Sequence, residues 1–318
     1  MSDGTQLWMA LGAPRFDDPD ERHGHARIHL LQHSGAGWRH LGPAMPDGFS
    51  PGSREWSGSC ALEPETGEVT LFFTATGERG EEEPSFKQRI FRARAKLELA
   101  GGGYGCHAWR DLAEIIRRDP ACYMAGDDGT GTLGTIMAFR DPAHFHDPAS
   151  GEHFLFFTGS AAGSDSAFNG VVGAATAATL GSDEWAVLPP IVCADGLNNE
   201  LERPHMVLCD GLYYLFWSTQ SHVFNPEGPA GPTGLYGMVG THPLGSFEPL
   251  NSTGLVFANP PAAPRQAYSW LVMPDLRVAS FADDWGEDNP PGRKRRFGAT
   301  FAPMLQLELD GAQARLAG

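Results

Sequence analysis

Three stretches of this chain share one pattern: Glu68-Val69-Thr70-Leu71-Phe72-Phe73-Thr74, Glu152-His153-Phe154-Leu155-Phe156-Phe157-Thr158 and Leu212-Tyr213-Tyr214-Leu215-Phe216-Trp217-Ser218. Each follows a turn glycine, Gly67, Gly151 or Gly211, and each is rich in aromatic and β-branched residues, the composition of a strand. A strand with one wet face alternates apolar and polar residues, so near-continuous apolarity predicts that both faces are covered. Such strands returning at irregular intervals predict one sheet unit repeated around an axis, with insertions between units. Further strands are expected at 26–31, 171–175, 235–239 and 305–309, and 40 glycines with 25 prolines spread through the chain supply turns. One helix is expected at 109–117, where Leu112, Ile115 and Ile116 fall at helical spacing. The expected class is all-β, and with no break in composition 1–318 is expected to be one domain.

Charge and motifs narrow the chemistry. With 39 acidic residues against 23 basic, the formal charge of −16 repels phosphate backbones and anionic bilayers. No run approaches the roughly 20 apolar residues that span a membrane. Neither nucleic acid nor membrane is an expected partner. Cys60, Cys106, Cys122, Cys193 and Cys209 are odd in number, far apart and never in a C-x-x-C pair, so idle or buried thiols are expected. His23 with His25, and His144 with His146, would each share a strand face as metal ligands do, but no third ligand is spaced to join them. No metal and no cofactor are expected. Ser57 lacks the G-x-S-x-G elbow, Gly101-Gly102-Gly103 reads as a turn rather than a phosphate loop, and Arg293-Lys294-Arg295-Arg296 behind the proline-rich loop 289–292 reads as a solvated loop. The first residues have neither the basic start nor the apolar run of a signal peptide, so no export route is legible.

Two segments place charged residues among apolar ones: Phe139-Arg140-Asp141-Pro142 and Glu200-Leu201-Glu202-Arg203-Pro204-His205. The proline is expected to force an extended backbone before it and to end local pairing, aiming a carboxylate into a cavity. Glu200 and Glu202, two apart, share a strand face and are expected to raise one another's pKa, which suits a general acid. The same residues equally suit an Arg–carboxylate pair that closes a strand end. In Arg54-Glu55-Trp56-Ser57-Gly58-Ser59-Cys60, an indole beside hydroxyls suits a sugar ring, or a turn with a buried tryptophan; Tyr268-Ser269-Trp270 carries the same two readings.

Taken in order, these segments resemble glycoside hydrolase family 68, the levansucrases and related β-fructosyltransferases. The resemblance runs from Asp20-Glu21-Arg22-His23-Gly24-His25-Ala26-Arg27-Ile28 through Glu55-Trp56-Ser57-Gly58-Ser59, Phe139-Arg140-Asp141-Pro142 and Glu202-Arg203-Pro204-His205 to Gly231-Pro232-Thr233-Gly234-Leu235-Tyr236-Gly237, Tyr268-Ser269, Val272-Met273-Pro274 and Ala302-Pro303. It implies a five-bladed β-propeller with a central axial pocket, acting on sucrose by double displacement with carboxyl groups about 5–5.5 Å apart. An Asp attacks the fructosyl carbon, a Glu protonates the departing glucose, and the fructosyl unit passes to fructan, another sugar or water. By resemblance Glu202 is the acid/base and Asp141 the carboxylate that holds the fructosyl hydroxyls. Arg140, Trp56, Ser57, Glu200, Arg203 and Tyr268 are substrate-binding, as is His222, or Gln220 if the local gap is drawn differently. A mainly hydrolytic β-fructofuranosidase and a non-catalytic carbohydrate-binding propeller are the alternatives. Sucrose and fructan or sugar acceptors are the implied partners, an extracellular or periplasmic setting is implied, and the oligomeric state is not legible.

Two departures stand out. The family nucleophile sits in a Trp-Asp motif well ahead of the strand at 7–11, and Asp3 is no substitute. The first blade is therefore expected to be incomplete, and a start downstream of the natural one explains this better than a degenerate member does. The second is Thr158, where many relatives carry a Glu that braces the pocket arginine.

Overall fold

The computed structural model describes residues 1, 3–100, 103–124, 137–285 and 295–317. Its strands form five antiparallel sheets, the blades of a propeller. Blade 1 is β1 (Gln6–Gly12), β2 (Arg27–Ser34) and β3 (Gly37–Pro43). Blade 2 is β4 (Arg54–Glu63), β5 (Glu68–Thr76), β6 (Gln88–Ala100) and β7 (Gly103–Ile116). Blade 3 is β8 (Phe139–His146), β9 (His153–Ser160), β10 (Gly170–Ala177) and β11 (Ala186–Cys193). Blade 4 is β12 (Glu202–Cys209), β13 (Leu212–Thr219) and β14 (Gly234–Gly240), with β15 (Glu248–Pro249) and β16 (Leu255–Ala258) both on β14. Blade 5 is β17 (Ala267–Val272), β18 (Arg277–Ala282), β19 (Leu305–Asp310) and β20 (Gln313–Leu316).

The three look-alike segments are β5, β9 and β13, the second strand of blades 2, 3 and 4. Their continuous apolarity resolves into two alternating sets. Leu71, Phe73 and Ala75 join a core shared with blade 1, whereas Phe72 joins the one shared with blade 3. Leu155 and Phe157 face blade 2, and Phe154 and Phe156 face blade 4. Tyr213, Leu215 and Trp217 face blade 3, and Tyr214 and Phe216 face blade 5. Period-two alternation is intact; it is hidden in the sequence because each face of a blade meets another blade.

The expected helix at 109–117 is a strand. Trp109 to Ile116 lie in β7, which ends just before Arg117 and pairs with β6 through Ile90↔Ile116, Phe91↔Glu114 and Arg94↔Arg110 with register shifts between. Leu112 packs on the blade 1–2 core, while Ile115 and Ile116 enter the blade 2–3 core. The shifts, with positive φ at Ala108 and Asp111, break strict alternation and leave apolar residues at a spacing that mimics a helical stripe.

All five cysteines are free, and Cys60 and Cys193 are exposed. Gly101, Gly102, the loop 289–292, Arg293 and Lys294 lie outside the described residues. Arg295 pairs with Asp20 and Asp283, so this part of the basic run is neutralised in place. No helix among the described residues is long and apolar enough to cross a membrane.

Candidate active site

β4 lies against β8, β8 against β12, and β12 against β17, so the innermost strands of four blades line the axis. Each carries a bulge near its start, where register shifts between Trp56 and Gly58, Arg140 and Ala143, Glu202 and His205, and Tyr268 and Leu271. Nearly every sequence-picked polar residue falls at or beside one of these bulges, which turn side chains off the sheet face toward the axis. Asp141 (φ 61°), Arg203 (φ 53°) and Ser269 (φ 59°) adopt left-handed backbone there, an uncommon conformation for residues with a Cβ and one that clusters at functional sites. Gly58 follows from the same geometry, since a Cβ on it would stand 1.9 Å from the Phe72 carbonyl oxygen.

Pro142 and Pro204 thus do not act as expected. The residue before each is left-handed rather than extended, and pairing resumes at Ala143↔Phe156 and His205↔Phe216. The ring removes a donor where the bulge has already interrupted the ladder, so no hydrogen bond is lost.

Arg140 organises the cluster. Its Nη2 donates to Glu200 Oε1 and, at 3.1 Å, to Glu202 Oε1, and its Nε lies 3.4 Å from Asp141 Oδ2. Asp141 is fixed from three sides: its N–H donates to Thr74 Oγ1 (2.9 Å), its carboxylate accepts from Thr158 Oγ1 (3.4 Å), and the Ser57 hydroxyl also reaches it. Thr74 Oγ1 donates in turn to the Ser57 carbonyl within blade 2, so the Asp141 N–H bond to Thr74 ties blade 3 to blade 2. Glu202 Oε2 accepts from the Tyr268 hydroxyl, and Arg203 Nη1 donates to Ser269 Oγ. Arg140, Asp141 and Glu200 side chains are at most 8% exposed, whereas Glu202 keeps 18%, so it is the carboxylate open to solvent.

The two glutamates do not both titrate high. Burial, with the Glu202 charge second, pushes Glu200 up to about 7. Burial also works against ionised Glu202, but the Arg140 guanidinium, the Tyr268 hydroxyl and Arg203 outweigh it and hold Glu202 below the usual range. Burial raises Asp141.

The remaining calls divide. Trp56 is partly buried, set edge-on to Phe86, and its indole N–H donates to the His23 carbonyl at 3.0 Å. Trp270 is a core residue, 2% exposed, while Tyr268 beside it reaches the cluster. His222 sits exposed on the 3-10 turn Ser221–Val223, and no hydrogen bond or ion pair among the described residues joins it to Arg140 or the carboxylates. Instead of pairing as ligands, His144 and His153 exchange a ring hydrogen bond at 2.9 Å and His146 stacks on His153.

Sequence reasoning missed Thr74 and took Thr158 only as a departure. Thr158 is fully buried, shares its one hydroxyl proton between the Leu201 carbonyl (3.1 Å) and the Asp141 carboxylate (3.4 Å), and accepts from Arg203 N–H (3.1 Å), so it braces both neighbouring bulges. A hydroxyl closing each look-alike run was the available signal: Thr74, Thr158 and Ser218 occupy matching places, and Ser218 Oγ accepts from Trp270 N–H at 2.9 Å. Sequence reasoning sets His23 aside as a metal ligand and gives it no other role beyond its place in the 20–28 segment. Burial, with Arg22 second, pushes its imidazole down to about 4, while Asp20 and Glu202 pull the other way.

A family model described as Levansucrase/Invertase, glycoside hydrolase family 68, matches residues 2–171 and 164–317. The chain is 34% identical to levansucrase LscA of Pseudomonas savastanoi pv. glycinea, over 93% of this chain and 74% of that protein. It is 33% identical to a levansucrase of Rahnella aquatilis, over 92% of this chain and 72% of that one. Among solved structures, an inulosucrase from Halalkalicoccus jeotgali bound to kestose superposes with a TM-score of 0.88 at 34% identity, covering 99% of this chain and 82% of that chain. The full-length β-fructofuranosidase of Microbacterium saccharophilum K-1 does so with a TM-score of 0.84 at 26% identity, covering 99% and 71%.

Proposed function

The chain belongs to glycoside hydrolase family 68, the levansucrase/invertase family, and from that premise we propose that it transfers the fructosyl unit of sucrose to fructan, another sugar or water by retaining double displacement. The observation that carries this reading is the gathering of Asp141, Glu200 and Glu202 on one guanidinium where the inner strands meet. Glu202, the carboxyl group open to solvent, gives a proton to the glycosidic oxygen as glucose leaves, then takes one from the acceptor hydroxyl. Asp141, pinned by Ser57, Thr74 and Thr158, holds the fructosyl hydroxyls and offsets positive charge developing on the ring. Tyr268 orients Glu202, Arg203 and Trp56 line the approach, and His222 contributes at most from the rim.

Double displacement also needs a carboxylate that forms the fructosyl ester as the glycosidic bond breaks and releases it when the acceptor attacks. Family resemblance assigns it to a Trp-Asp segment ahead of β1, on the axial side of blade 1, where β1 has no second strand partner among the described residues.

The test is free glucose and free fructose released from sucrose by the protein with a Trp-Asp segment joined ahead of Met1. A fructose deficit marks transfer, and equal amounts mark water as acceptor. Glucose release no faster than from 1–318 contradicts the reading. An extracellular or periplasmic setting is part of the proposal and is checked by fractionating the native source.

A further inference from the structure

The acid/base and its partner stand on different blades: Glu202 on β12, and Tyr268, whose hydroxyl donates to it, on β17. Just past Glu202 the β12 backbone leaves its ladder at Arg203, left-handed at φ 53°, and rejoins it at His205↔Phe216. Such a kink keeps its shape only where surrounding bonds determine it. Thr158 takes the Arg203 N–H from the blade 3 side. The Arg203 carbonyl oxygen lies 2.9 Å from Nδ1 of His205, whose ring is 6% exposed and packs against Phe216 with centroids 5.9 Å apart. On the other side of that ring, Nε2 lies 2.9 Å from the backbone nitrogen of Val272 on β17.

These two partners fix the state of the ring. A carbonyl oxygen accepts and a backbone N–H donates, so Nδ1 carries the hydrogen and Nε2 presents its lone pair. The other neutral tautomer would set lone pair against lone pair and N–H against N–H, and the imidazolium would turn its Nε2–H on the Val272 N–H. Burial, which pushes the imidazole down to about 4, also favours the neutral ring.

We propose that His205 is a positioning residue for the acid/base: as the neutral Nδ1–H tautomer it clamps the Arg203 bulge to β17, and so holds Glu202 at Tyr268 and within reach of the glycosidic oxygen. This rests on the reaction proposed above. Asp141 on β8 and Trp56 on β4 are anchored by other bonds, so a slack clamp spoils proton delivery more than sucrose binding. A displacement of about 1 Å at a reacting group costs about 10²-fold in rate.

His205→Asn keeps a donor where Nδ1–H stands, and His205→Gln keeps an acceptor where Nε2 stands, so each breaks one half of the clamp. In the protein with the Trp-Asp segment joined, both are expected to lower kcat on sucrose by about 10–10²-fold with KM little changed. The burst of nitrophenol from nitrophenyl β-fructofuranoside, whose leaving group needs no proton, should stay near the unmutated rate. Folded variants that keep sucrose turnover, or that lose both substrates equally, overturn the proposal. If neither variant folds, 15N NMR of unmutated residues 1–318 at neutral pH decides. A His205 ring protonated at Nδ1, with Nε2 coupled through the hydrogen bond to the Val272 nitrogen, supports the clamp; an Nε2-protonated ring or no coupling overturns it. No turnover of either substrate by the unmutated joined protein would refute the proposed reaction alone, since the NMR result needs no activity.

Discussion

The junctions between consecutive blades and the seam that brings blade 5 back to blade 1 are held by different forces. Buried apolar clusters join blade 1 to 2, 2 to 3, 3 to 4 and 4 to 5. Among the described residues no such cluster crosses the seam. There Phe301 packs on Trp8 and Trp38 with ring centroids 5.5 and 5.0 Å apart, Arg22 lies over Phe297, and Arg295 pairs with Asp20. The active cluster follows the same division: its side chains come from blades 2 to 5, and blade 1 supplies strands but none of the residues on Arg140. Apolar burial fixes the four bulged inner strands rigidly enough to hold carboxylates on one guanidinium, while aromatic and ionic contacts at a half-exposed seam contribute little to that precision.

The largest expected effect is on chemistry alone. Glu202→Gln in an active form should lower sucrose turnover by about 10²–10⁴-fold, the range for a positioned acid/base, with the urea midpoint little changed; unchanged turnover would remove Glu202 from the mechanism. Next is the contrast between junction and seam. Phe216→Ala, at a fully buried ring in the blade 4–5 core, should cost about 3–5 kcal/mol in urea unfolding. Trp38→Ala, at a ring 51% exposed on the seam, should cost under about 1 kcal/mol. Equal losses would mean that the seam is as firmly held as the cores. Thr158→Val should cost about 1–3 kcal/mol, because it leaves the Arg203 N–H and the Leu201 carbonyl without a buried partner.

A smaller effect separates the axis from the seam by pH. Glu200 keeps its proton when folded up to about 7, whereas unfolded it ionises in the ordinary carboxyl range. Between those limits the unfolded chain binds fewer protons, so this contribution to stability is complete below the ordinary range and is lost as pH rises through about 7. Tm of the unmutated protein should fall over that interval more than Tm of Glu200→Gln. The smallest effect is Asp20→Asn, which removes exposed ion pairs to Arg295 and Arg22 at the seam and leaves Asp283 on Arg295: about 0–1 kcal/mol, shrinking further in high salt.

How much of this was legible depended on what local sequence controls. β5, β9 and β13 were readable because two covered faces demand unbroken apolarity, and Arg140, Asp141 and Glu202, which the structure brings together, stood out because charges among apolar residues need a partner or a function. β7 was misread because bulges broke its alternation. The left-handed bulges themselves carry no local mark: Asp141 and Arg203 precede prolines, which by themselves predict extended backbone, and only pairing with the neighbouring strand imposes the turn. Thr74 and Thr158 act across blades, and a contact between residues so far apart in sequence is invisible until the sheets are assembled.

The most direct test is a crystal structure of Glu202→Gln, with the Trp-Asp segment joined, soaked with sucrose. The fructosyl hydroxyls are expected on Asp141 and the glycosidic oxygen within hydrogen-bond reach of residue 202. Sucrose bound away from the axis, or with its glucosyl ring on Asp141, would contradict the account.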